Sequence, residues 1–229
     1  MRKTVIWAAL IAAHAAVAFA QEGAAAPAGG VGRGRGGEGR TVILEQAPKD
    51  HAVPIPKEII IVDDASTDGT RQVLSQYEAA RDVHVIFKPQ NEGKGAALRT
   101  GLRRVTGDIV VVQDADLEYD PRDILNLVRP ILCGQADVVY GSRFLNGAAQ
   151  DRSFVHRFGN RLLTKLSNWT TGLDISDMET GYKAFRREVL KSFEIKQHRF
   201  GFEPEVTARI ARNKYRLYEV PISYTPSLS

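Results

Sequence analysis

Gly107-Asp-Ile-Val-Val-Val-Gln-Asp-Ala-Asp-Leu-Glu-Tyr-Asp-Pro121 joins a continuous apolar run to a burst of acid. Residues 109–112 read as a buried strand, because a run of branched apolar side chains leaves no polar face. Asp114, Asp116, Glu118 and Asp120 follow at its carboxyl end. Packing gives no reason for them, since clustered carboxylates repel one another. A divalent cation would remove that repulsion. Oxygen-only ligands suit Mg²⁺ or Mn²⁺, ions that commonly bridge to substrate phosphates. A solvated acidic turn fits the same residues, so this stretch alone leaves both readings open.

Upstream the pattern repeats. Residues 59–62 form a second apolar run, ending in Asp63-Asp64 and then Ala65-Ser66-Thr67-Asp68-Gly69-Thr70, rich in turn and helix-capping residues. A helix is expected over 70–80, with Val73, Leu74 and Tyr77 on one face. A strand follows over 83–87. Gly93-Lys94-Gly95 opens a helix carrying Leu98, Leu102 and Val105. Downstream, 121–133 is an amphipathic helix that Pro130 should bend or divide, and 138–140 is a strand. This alternation predicts an α/β fold, a doubly wound, mostly parallel sheet flanked by helices. Ligands in such sheets bind at the carboxyl ends of the strands. Two acidic strand ends on one rim therefore argue for a metal or nucleotide site. Helices are further expected over 153–172, 186–193 and 203–213. Tyr218, Val220, Ile222 and Tyr224 alternate in a last strand.

The chain has 229 residues, 43% of them hydrophobic, enough for one domain with tails. Formal charge is +4, but five of the 31 basic and two of the 27 acidic residues lie in 1–40, leaving +1 on the rest. The basic balance belongs to the tail and is no argument for a nucleic-acid partner. Residues 1–20 resemble a secretory signal, with Arg2 and Lys3 before an apolar run and Ala18-Phe19-Ala20 as the cleavage pattern. Residues 21–51 read as a low-complexity linker, and 52–229 as the functional domain. The single Cys133 excludes an intrachain disulfide and any cysteine-cluster metal site. Its apolar surroundings in the sequence predict a core thiol.

Five stretches, in this order, resemble the inverting family 2 glycosyltransferases. They are Glu58-Ile-Ile-Ile-Val-Asp-Asp-Ala-Ser-Thr-Asp-Gly-Thr70, Asn91-Glu-Gly-Lys-Gly-Ala-Ala-Leu98, Gln113-Asp-Ala-Asp-Leu-Glu-Tyr-Asp-Pro121, Tyr140-Gly-Ser-Arg-Phe144 and Arg199-Phe-Gly-Phe-Glu-Pro-Glu205. The likeness, over residues 52–224, is to dolichyl- or polyprenyl-phosphate mannose and glucose synthases. It implies a GT-A-like fold and a UDP- or GDP-sugar donor. It implies a hexose passed with inversion to a polyprenyl phosphate, by an enzyme peripheral to the cytoplasmic face of a membrane. By the same resemblance Asp63 and Asp64 contact base and ribose. Asp114 and Asp116 hold the diphosphate through Mg²⁺ or Mn²⁺, with Glu118 completing the shell. Lys94 reaches the nucleotide phosphates, and Arg143 and Arg157 hold the acceptor phosphate. Asp177 is a catalytic or acceptor-orienting carboxylate, or else a helix cap. Glu203 and Glu205 read as stabilising the fold or ordering the arginines.

Two departures accompany the likeness. Family members open with a strand ending in Pro-x-Tyr-Asn-Glu, and no such motif is found. Residues 41–44 are the candidate substitute. Loss of that strand predicts lower stability and weaker nucleotide affinity. The carboxyl end also stops where relatives continue. A signal-like start conflicts with chemistry on the cytoplasmic side; a secreted enzyme, or a mis-joined segment at 1–51, would account for it. Two other functions stay open: transfer to a sugar or protein hydroxyl, with Asp177 as the base, and an inactive nucleotide-sugar-binding remnant.

Overall fold

In the computed structural model, residues 5–11, 41–43, 57–115, 118–145, 154–197 and 201–225 are described. Their apolar runs become β1 (Val5–Ile11), β2 (Thr41–Ile43), β3 (Lys57–Asp63), β4 (Val83–Phe87), β5 (Ile109–Asp114), β6 (Val138–Ser142), β7 (Lys183–Arg186) and β8 (Leu217–Pro221). The helices are α1 (Thr70–Ser75), α2 (Lys94–Leu102), α3 (Ile124–Leu132), α4 (Phe154–Thr171), α5 (Arg187–Lys191) and α6 (Phe202–Arg212). The strands form one sheet in the order β2-β8-β6-β7-β5-β1-β3-β4. β7 runs antiparallel to both its neighbours, and the other pairings are parallel.

The period of two along β5 builds two cores. Val110 and Val112 face one side, where Ile60, Val62, Ala97, Leu98, Phe202 and Val206 bury them. Ile109 and Val111 face the other, against Ile124, Leu127, Val128 and Ile131 of α3. Helices thus cover both faces, and the acidic carboxyl ends of β3 and β5 share one rim.

Several expectations need correction. The apolar stretch read as a signal core is a strand. Val5–Ile11 lies parallel between β3 and β5, with Ala8 opposite both Ile60 and Val112. An unbroken apolar run has neither helical nor strand period; the two edges it joins select the extended form. The central place expected to be missing is therefore filled from the amino end. Thr41–Ile43 is instead an edge strand beside β8. β7 was not expected at all, because its Lys-Ala-Phe-Arg has no apolar run. Cys133 is exposed at the end of α3, not in the core. Pro130 sits in the last turn of α3 and does not divide it. α1 ends at Ser75, five residues early, with Leu74 as its buried residue.

Candidate active site

β3 delivers Asp63 and Asp64 to the rim, both buried. Asp63 accepts from the Ser66 amide at 3.2 Å and from Arg71 Nε at 2.7 Å, tying the loop to α1. Asp64 accepts from Lys88 Nζ at 2.5 Å, from the Glu92 amide at 3.1 Å and from the Gly93 amide at 2.6 Å. Gly93 has φ +87°, a left-handed conformation that favours glycine and turns its amide onto Asp64. The pair thus orders the loops that follow β3 and β4. Lys88, itself buried, also pairs with Glu92 at 2.9 Å. Its place after β4 carries no sequence signal.

Lys94 begins α2. Its ammonium lies 2.8 Å from both Asp114, at the end of β5, and Glu203, in the first turn of α6. Burial works to lower its pKa, but the two carboxylates outweigh that and hold it above the ordinary lysine value. Sequence reading aimed Lys94 at phosphate. Here its ammonium balances two acids of the rim, and Glu203 is the partner that reading did not supply. Gly181 comes close to the same carboxylate: a Cβ there would overlap Asp114 and lie 3.1 Å from Tyr119.

Beyond β5, Glu118 accepts from the Tyr224 hydroxyl at 2.7 Å, and its carbonyl accepts from the Thr225 amide at 2.9 Å. Tyr119 stacks on Tyr182 at 4.7 Å and meets Tyr224 edge-on at 5.5 Å. Its hydroxyl accepts from the Gly181 amide at 2.9 Å. Asp116 lies outside the described residues. Among those described, no three His, Cys, Asp or Glu side chains are grouped to hold a metal. The donor chemistry nonetheless fits a hard cation. Asp114 offers oxygen alone and already draws an ammonium to hydrogen-bond distance.

Arg143 follows β6 and forks onto Asp177, Nε to Oδ2 at 2.7 Å and Nη2 to Oδ1 at 2.9 Å. The Arg143 amide adds a bond at 3.1 Å, and Asn160 of α4 donates at 3.2 Å. Asp177 is fully buried and each of its oxygens has two donors. It anchors Arg143. The guanidinium also lies 5.1 Å over the Tyr224 ring. Below, Glu219 of β8 accepts from the Ser176 and Asp177 amides at 2.8 and 3.2 Å. Burial pushes its carboxyl up to about 7, against those bonds. Lys183 donates to the carbonyls of Met178 and Thr180, and burial draws it down to about 8. Of Arg157 the structure describes its place in α4, not its side chain.

These strand ends lie in a segment with known relatives. Residues 44–193 match the family described as "Glycosyl transferase family 2". The chain belongs to that family. Asp63, Asp64, Lys94, Asp114, Arg143 and Asp177 fall inside the family 2 match, while β1, Glu203, Glu219 and Tyr224 lie outside it. The chain is 32% identical over 190 residues to "Undecaprenyl-phosphate mannosyltransferase" of Micrococcus luteus, covering 76% of this chain and 73% of that one. It is 29% identical over 169 residues to "Glycosyltransferase AglJ" of Haloferax volcanii, covering 73% of this chain but only 54% of that relative's length. Among solved structures, glucosyl-3-phosphoglycerate synthase of Mycobacterium tuberculosis, in complex with Mn²⁺, UDP-glucose and phosphoglyceric acid, aligns with a TM-score of 0.60. That alignment covers 98% of this chain and 72% of that one at 20% identity. The fold is thus of the mixed α/β, GT-A type that this solved neighbour shares.

Proposed function

We propose that this glycosyltransferase passes a hexose, with inversion, from a UDP- or GDP-sugar to a polyprenyl phosphate in a Mg²⁺- or Mn²⁺-dependent reaction. The observation that carries the acceptor reading is the Arg143–Asp177 fork. A hydroxyl acceptor needs a base that reaches its proton. Asp177 is buried, and its oxygens are taken. A phosphate monoester, with a second pKa of about 6, arrives largely ionised and needs a cation. Asp177 engages Nε and Nη2 of Arg143, so Nη1 remains to receive a phosphate oxygen. Arg157 would be the second phosphate ligand. The undecaprenyl-phosphate named for the Micrococcus relative supports the acceptor class, and the Mn²⁺ and UDP-glucose named for the structural neighbour support ion and donor.

In the reaction, the bond from the sugar's C1 to the diphosphate oxygen breaks, and its electron pair leaves with that oxygen. An acceptor phosphate oxygen bonds to C1 from the opposite face, with no proton to remove. Asp114, Asp116 and Glu118 would hold the ion, which when bound supplies Lewis-acid neutralisation of the leaving diphosphate. Lys94, beside Asp114 at the amino end of α2, would follow charge from carboxylate to phosphate. Asp63 and Asp64 would present the loops that take base and ribose. The enzyme would work peripherally at a cytoplasmic membrane face. Among the described residues, no helix is long and apolar enough to cross a membrane.

The test incubates the purified chain with Mn²⁺, a panel of radiolabelled UDP- and GDP-sugars, and polyprenyl phosphate. Labelled lipid-phase product is expected, and it should vanish in Asp116→Ala. Transfer to a sugar or peptide hydroxyl with none to lipid phosphate would overturn the acceptor reading. Nucleotide binding without any transfer would instead indicate an inactive remnant.

A further inference from the structure

Residues 222–225 run on past β8 and tie two parts of the site together. The Ile222 amide donates to the Ser142 carbonyl at 3.1 Å, at the end of β6 and one residue before Arg143. The segment then crosses to the acidic loop that follows β5. The Ser223 amide donates to Asp123 Oδ2 at 2.6 Å, Tyr224 forms an antiparallel bridge with Tyr119, and the Thr225 amide donates to the Glu118 carbonyl at 2.9 Å.

Tyr224 stands at the crossing. Its hydroxyl donates to Glu118 Oε2 at 2.7 Å, and the Arg143 guanidinium lies 5.1 Å over its ring. The edge-on contact with Tyr119 fixes the ring, and Tyr119 is itself stacked on Tyr182, whose hydroxyl donates to the Asp120 carbonyl at 3.1 Å. The two polar contacts of Tyr224 have opposite sign, an acid at the hydroxyl and a cation at the face. A phenol suits both, because its O–H donates to a carboxylate while its negative face attracts a guanidinium. A hydroxyl that donates to an anion also returns electron density to the ring, which strengthens the pull on the cation. Packing alone would ask only for a ring; the bond to Glu118 asks for its oxygen. Tyr224 lies beyond the residues 44–193 of the family match, so no family motif assigns it a role.

We infer that Tyr224 is a positioning residue that sets the acceptor-side guanidinium of Arg143 against the ion-side carboxylate of Glu118. It acts through those two groups, so the inference rests on the ion and acceptor-phosphate roles proposed for them. A ligating carboxylate that is itself hydrogen-bonded keeps one orientation toward its ion. A guanidinium with a ring across its face presents its edge, and Asp177 already holds part of that edge.

The experiment separates the two contacts. Free Mn²⁺ is followed by electron paramagnetic resonance as the full chain is titrated in the presence of UDP or GDP. Tyr224→Phe keeps the ring and loses the hydroxyl. It should bind Mn²⁺ about tenfold more weakly, while keeping the parent's circular dichroism and, at saturating Mn²⁺, the parent's KM for polyprenyl phosphate. Tyr224→Leu loses the ring as well, and should in addition raise that KM about fivefold. A purely structural role for the ring would leave Mn²⁺ affinity unchanged in Tyr224→Phe, and that result overturns the inference. So does a Tyr224→Leu enzyme with the parent's KM for polyprenyl phosphate. A parent that binds no Mn²⁺ beside the nucleotide, or transfers nothing to lipid phosphate, fails at Glu118 or Arg143 themselves. That outcome overturns the proposed function and this inference with it, whereas a parent that does both beside unaffected variants sinks this inference alone.

Discussion

Lys94 and Asp177 show how far a side chain's partners decide its role. Both were marked by sequence motifs, the lysine as a phosphate ligand and the aspartate as a catalytic or orienting group. The structure surrounds the lysine with two acids and the aspartate with four donors. An ammonium between two carboxylates is a charge-balancing group until phosphate arrives. A carboxylate with every lone pair committed orders its neighbour. The support beneath them has a measurable consequence. Burial raises Glu219 from 4.5 in the unfolded chain to about 7 in the folded one. Between those values the folded state holds the extra proton, so stability falls as pH rises from about 4.5 to about 7. Glu219→Gln, which keeps the shape and loses the titration, should flatten that part of the profile. Urea midpoints measured across this range check it, and an unchanged slope in the variant would assign the titration elsewhere.

At the scale of elements, the lesson lies in β1 and β7. β1 pairs along its whole length with β3 and β5, so it is an inner strand of the sheet. Proline at its middle removes a ladder donor, which inner strands do not tolerate. Ala8→Pro should cost about 3 kcal/mol or more, read as a drop in urea midpoint of the purified chain. An unchanged midpoint would mean that Val5–Ile11 does not serve as the inner strand. The other parallel strands next to acidic ends were legible, because their branched apolar runs stop sharply at Asp63-Asp64 and Asp114. β7 was not: Lys183 is buried inside it, held by the carbonyls of Met178 and Thr180 and by the Tyr140 ring 4.5 Å away. A strand built around a satisfied lysine has no apolar signature. α4 misleads in the opposite sense, since its periodicity announces a core face that the fold turns outward.

For the molecule as a whole, the rim joins loops that the two core layers hold in place, so occupying it should stabilise the entire fold. UDP or GDP with Mn²⁺, at about a hundred times the dissociation constant, should add about 2.7 kcal/mol. For a chain of this size that raises the melting temperature by about 5–10 °C. Asp114→Asn should abolish most of the shift, and a shift independent of Mn²⁺ would argue against an ion in the clamp. The alternating α/β order, the two acidic strand ends and the family motifs were all legible along the chain, because those are local patterns of period, capping and spacing. The sequence also singled out Lys94, Asp114, Arg143 and Asp177, which the structure joins as two ion pairs. Packing between distant segments set the rest: which strand fills the middle of the sheet, that Glu203 completes the Lys94 bridge, that Asp177 is buried against Arg143, and that α4 shows its apolar face outward. Each of these depends on groups distant in the chain, and on which faces and donors the packed sheet leaves open. Local periodicity records neither.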